Sequence, residues 1–157
     1  MERRALLGGL CGITALSGCV SLVDSALQSD SGGPIADREF EVFGPGSDFI
    51  DSAPRSPPQI SFRPPENRVI IDGSLYVGSA DSHEAALEDA TYHEDSDTLS
   101  VRVGRDEKGD GGSSLVMSAN SYRATITFRE SLPRSVVAVE FGQMSVESTT
   151  ADRSHTD

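Results

Sequence analysis

From Arg68 onward, apolar residues fall on alternate positions, and this period of two limits the fold more than any other feature of the chain. Val69, Ile71, Leu75 and Val77 share one parity. Leu99, Val101 and Val103 alternate with Ser100 and Arg102. Tyr122, Ala124, Ile126 and Phe128 alternate with Arg123, Thr125 and Thr127, and Val137, Val139 and Phe141 extend the pattern after a turn at 130–134. Successive side chains of a strand point to opposite faces, so each run reads as a strand with one face in a core and one in water. Gly73 interrupts the first run and predicts a bulge or bend there. The pattern predicts an all-β domain, a small antiparallel sandwich or partly closed meander of about six to seven strands.

Punctuation sets the domain limits. Seven of the eight prolines lie between Pro34 and Pro65, and residues 20–38 are rich in Ser, Asp and Gly. Residues 19–58 therefore read as a flexible tether, 59–142 as the globular domain and 143–157 as a disordered polar tail. Within the tether, Phe40, Val42 and Phe43 could form a short strand; Ile60 and Phe62 could form another, followed by a turn at Pro64-Pro65-Glu66-Asn67. Residues 81–92 read two ways. Asp81 and Glu84 could be a helix capping box, whereas Ala86, Ala90 and Tyr92 alternate as in a strand. A strand from about Leu87, after one helical turn, is the preferred reading, with Glu94-Asp95-Ser96-Asp97 as a hairpin tip. Residues 105–114, with three glycines among charges, read as a loop.

The N-terminus reads as an address. Arg3 and Arg4 precede nineteen uncharged residues, Ala5 to Val23, in the order of an export signal. Arg3-Arg4-Ala5-Leu6-Leu7 resembles a twin-arginine signal. Leu16-Ser17-Gly18-Cys19 looks like a lipobox, which implies cleavage of residues 1–18 and a lipid on Cys19. The rival is an uncleaved membrane anchor, but Gly8, Gly9, Gly12 and Gly18 make a poor span. Both readings put the rest of the chain at the extracellular face of the cell membrane. Cys11 would leave with the signal and Cys19 would carry lipid, so no disulfide is expected.

The chain has 25 acidic and 13 basic residues, a net charge of −12, and Lys108 is its only lysine. Such a balance excludes a nucleic-acid binder that rests on net positive charge. It resembles proteins of salt-loving archaea, in which hydrated carboxylates keep a surface wet where salt screens their repulsion.

Catalytic and metal motifs are sparse. His83-Glu84-Ala85-Ala86-Leu87 begins like a zinc-protease motif but lacks the second histidine. Blue copper needs a thiolate with two histidines, and Cys19 is committed to lipid. Asp95 and Asp97 at the hairpin tip are the candidate calcium ligands, because hard cations take carboxylate oxygens. Acids also crowd the loop at 106–110, although Lys108 breaks the EF-hand spacing. Arg102 and Arg123 should face solvent. They are the candidate ligand-binding pair, a basic stripe for acidic glycans or lipid headgroups. The plainer reading pairs such arginines with acids, among them Glu140 and Asp89.

Val77-Gly78-Ser79, Glu84-Ala85-Ala86-Leu87, Asp97-Thr98-Leu99-Ser100-Val101 and Tyr122-Arg123-Ala124-Thr125 carry a wider likeness. Through them, Arg68–Phe141 resembles small secreted or lipid-anchored haloarchaeal proteins of unknown function. The resemblance implies a β-rich envelope domain and no catalytic residues. It also implies a disulfide in relatives, lost here where the sequence reads Ala80-Asp81-Ser82-His83 and Leu115-Val116-Met117. The expectation is therefore a non-enzymatic lipoprotein without cofactors. Its partners would be the membrane, through the lipid, and an envelope protein or glycan, with no nucleic acid. A calcium or ligand sensor using the acidic loops is the first alternative, and a small hydrolase the second.

Overall fold

The alternating segments do form strands, and they close over one core. In the computed structural model, residues 33–43, 56–79, 81–109, 117–142 and 145–153 are described. Among these residues eight strands occur: β1 (Ile35–Phe43), β2 (Gln59–Arg63), β3 (Arg68–Ser79), β4 (His83–His93), β5 (Thr98–Glu107), β6 (Met117–Phe128), β7 (Ser135–Phe141) and β8 (Val146–Asp152). They make two four-stranded sheets, ordered β1-β6-β3-β2 and β4-β5-β7-β8. Val69, Ile71, Val77, Tyr122, Ala124 and Ile126 of the first sheet meet Leu99, Val101, Val103, Val136 and Ala138 of the second in one buried core. The molecule is an all-β sandwich.

All ladders are antiparallel except β5–β7, which is parallel. Parallel neighbours need a crossover. Here β6, lodged in the opposite sheet, supplies it. Two hairpins share one construction. The tips Pro64–Glu66 and Glu94–Ser96 are single 3-10 turns, each closed by a left-handed residue, Asn67 (φ 52°) or Asp97 (φ 49°). The short polar side chains of Asn and Asp tolerate that conformation. The carbonyl of Asn67 accepts the Phe128 N–H, and that of Asp97 accepts those of Arg134 and Ser135. Each tip thereby pins the strand that comes to lie beside its own hairpin.

Several expectations need correction. The segment read as tether contains β1, held along β6 from Ile35 to Phe43, and the segment read as tail contains β8, held along β7. Both are edge strands, which bury few side chains and so carry a weak apolar signal. Residues 83–93 are strand throughout, with a register shift between Leu87 and Asp89 and no helical turn. The strand β3 runs straight through Gly73; its irregularity lies between Tyr76 and Gly78, where Gly78 has φ 94°. On β7 the core-facing set is Val136, Ala138 and Glu140, not Val137, Val139 and Phe141.

Candidate functional site

The inward face of β7 places a carboxylate in the core. Glu140 is 1% exposed, so its carboxyl is enclosed by the two sheets. The Tyr122 hydroxyl of β6 donates to Glu140 Oε1 at 2.6 Å, linking the two sheets. Glu140 Oε2 has no hydrogen-bond partner among the described residues. Gly73, opposite Tyr122 in register, leaves the space that both groups fill. Burial pushes the Glu140 carboxyl up to about 7; the Tyr122 hydroxyl and the nearby Ser74 amide pull it down, while Glu147 pushes it further up. Burial, then the Glu140 charge, raises the Tyr122 hydroxyl well above the usual phenol range. Nothing in the period-two pattern distinguished this pair. Its one sequence signal is a glycine where an apolar residue would continue the buried face.

The candidate ligand-binding arginines do not meet. Arg102 is exposed on the outer face of the second sheet, its guanidinium 4.8 Å from the Phe141 ring centre and 3.8 Å from Glu88. Arg123 is half-buried on the outer face of the first sheet, where Asp72 accepts two hydrogen bonds from it, at 2.7 and 3.1 Å. Those bonds hold the Arg123 guanidinium above its ordinary pKa. The arginine stripe is replaced by separate pairs on opposite faces, and the partners are Glu88 and Asp72. Asp89 instead accepts the Thr91 hydroxyl, and Glu140 lies in the core.

The proposed calcium ligands separate as well. Asp95 is exposed on its turn, whereas the Asp97 carboxylate accepts the Tyr92 hydroxyl at 2.7 Å. That bond, with burial and the nearby Asp97 and Glu94 charges, raises the Tyr92 pKa. Among the described residues no three His, Cys, Asp or Glu side chains converge on a metal position. His83 and His93 end the same eleven-residue strand. At ~3.3 Å per residue they stand roughly 30 Å apart. His83 Nδ1 lies 3.1 Å from Ser82 Oγ, but among the described residues no carboxylate bonds its other ring nitrogen. Arg3, Arg4 and Cys19 lie outside the described residues.

A second arrangement, not anticipated from the sequence, sits where the edge strands β1 and β4 face each other. Arg38 points inward from β1, and its Nε donates to the Ala90 carbonyl of β4 at 3.2 Å. A cleft of about 190 Å³ opens beside it, walled by Gly33, Pro34, Ile35, Thr91 and Tyr92. The Arg38 Nη groups have no hydrogen-bond or carboxylate partner among the described residues. Two half-buried arginines are thus present among the described residues, Arg123 paired with a carboxylate and Arg38 with a carbonyl alone.

No family model, curated protein or solved structure matches the chain.

Proposed function

We propose that this chain is an exported lipoprotein, anchored at the extracellular face of the cell membrane, that presents a small non-enzymatic β domain. The observation that carries the reading is a division of the chain. The leader-like segment with Arg3, Arg4 and Cys19 lies upstream of the first strand of the sandwich, β1, which begins at Ile35, sixteen residues beyond Cys19. A stretch of that length reaches at most ~55 Å when extended. It would keep the domain within reach of envelope proteins and glycans close to the membrane. The acidic composition and the likeness to haloarchaeal envelope proteins support the same setting.

Cys19→Ser tests the anchor. In a host that processes lipoproteins, the wild-type chain should partition with membranes as a shortened species. The variant should either accumulate as an unprocessed precursor or leave the membrane fraction. Unchanged size and unchanged membrane partition would overturn the proposal.

A further inference from the structure

Arg38 sets up an unfilled role. A guanidinium carries five N–H donors in a rigid plane, and a half-buried one has lost part of its water. The Ala90 carbonyl takes Nε and fixes the plane. The end formed by Nη1 and Nη2 remains, the edge that meets a carboxylate with two parallel hydrogen bonds. Arg123 shows how this sandwich ordinarily treats a half-buried arginine: Asp72 stands opposite and takes two bonds. At Arg38 no acid among the described residues takes that position. The place belongs to a cleft instead.

The walls narrow the ligand. Pro34 and Ile35 offer apolar surface, and Tyr92 an aromatic one, its ring held edge-on against Phe128 with centres 5.8 Å apart. The Tyr92 hydroxyl is occupied by Asp97 and the Thr91 hydroxyl by Asp89, so among the described residues that wall the cleft the Arg38 fork is the main free polar side-chain group. The cleft volume, about 190 Å³, equals roughly six waters of liquid, the scale of one sugar ring. Charge limits the anion. Asp37, Asp89 and Asp97 lie on the same strands and hairpin, and the net charge is −12. A dianion would be repelled, whereas a monoanion with two coplanar oxygens matches the two donors on offer.

We propose that the Arg38 cleft binds a single carboxylate carried on a compact ring, the chemistry of a uronic-acid unit of an acidic glycan. The carboxylate lies on Arg38 Nη1 and Nη2, and the ring packs on Tyr92, Pro34 and Ile35. The site stands on Arg38 and its cleft and does not depend on the lipid at Cys19, so the two proposals fail separately.

The test is binding of sodium glucuronate to the purified full chain, followed by ligand-observed NMR at constant ionic strength. Glucose and sodium sulfate serve as the neutral and tetrahedral comparisons. Glucuronate should bind, and each comparison should bind at least tenfold more weakly. Arg38→Gln should weaken glucuronate at least tenfold. Because that change also removes the Ala90 bond, Gly33→Trp provides a second variant; Gly33 lines the cleft and a side chain there enters open space, so the ring occupies the cleft wall and leaves Arg38 in place. It should abolish binding with an unchanged melting temperature. No binding by the wild-type chain, equal binding by both variants, or glucose or sulfate binding as tightly as glucuronate would each overturn the assignment.

Discussion

A methyl group on Gly73 would fall on the Glu140 carboxylate and the Tyr122 ring and hydroxyl. Those groups are wedged between the sheets and cannot swing away, so overpacking is the expected outcome. Gly73→Ala should destabilise the domain by about 1–3 kcal/mol, read from denaturant midpoints. Glu140 adds a pH dependence. Its carboxyl ionises at about 7 in the folded protein, against 4.5 for the ordinary group, so ionisation favours the unfolded chain. This contribution to stability is full below about pH 4.5 and is lost as pH rises through 7. The difference amounts to roughly 3 kcal/mol at most. Glu140→Gln should remove that part of the pH profile, leaving less loss of stability between pH 5 and 8 than in the wild type. An identical profile in the variant would show that the carboxyl titrates normally. Tyr122 was legible as a core residue because its neighbours alternate cleanly. Glu140 was not, because the run from Val136 to Val139 is apolar at every position and carries no parity. Phe141 ends that run facing outward, where the Arg102 guanidinium lies over it.

The strands differ in how much of themselves the sequence declares. β3, β5 and β6 lie inside their sheets, and their buried residues recur every second position. The edge strands β1 and β8 have one neighbour each, and their exposed and half-buried residues resemble a linker. β4 is also an edge, and two side chains from the facing sheet cover it. Asn120 Oδ1 of β6 accepts the Ala85 N–H at 3.0 Å, and Arg38 of β1 donates to the Ala90 carbonyl. An open edge offers such groups to another chain. Asn120→Ala should leave the buried Ala85 N–H without a partner and cost about 1–3 kcal/mol. Amide exchange at Ala85 checks this directly: it should accelerate in the variant more than exchange at Val101, which lies in the interior strand β5. Equal acceleration at both positions would point to loss of global stability instead.

For the whole molecule, charge is the dominant external variable. Of the ion pairs among the described residues, Arg68–Glu66, Arg102–Glu88 and Lys108–Glu84 are well exposed to solvent and contribute little. Arg123–Asp72 is the most sheltered. With a net charge of −12, self-repulsion opposes the compact state until salt screens it, and the screening length falls from ~10 Å at 0.1 M to ~3 Å at 1 M. The melting temperature should therefore rise by at least 5 °C between 0.1 and 2 M potassium chloride. Most of that rise should come before 1 M, because screening saturates earlier than salting-out effects. A melting temperature independent of salt would show that the acids are dispersed widely enough for their repulsion to be negligible.

The sequence by itself determined the class of fold, because alternation ties each side chain to one face of a strand and so to water or core. It also marked both hairpin tips, since their short polar residues, Asn67 and Asp97, accept left-handed backbone without help from the rest of the chain. Only the tertiary structure decided which strands become neighbours. The parallel β5–β7 pair exists because β6 crosses to the other sheet, and no local pattern encodes that path. The two polar arrangements arose in the same way. Tyr122 and Glu140 are 18 residues apart, Arg38 and Ala90 52, and each meeting depends on packing one sheet against the other.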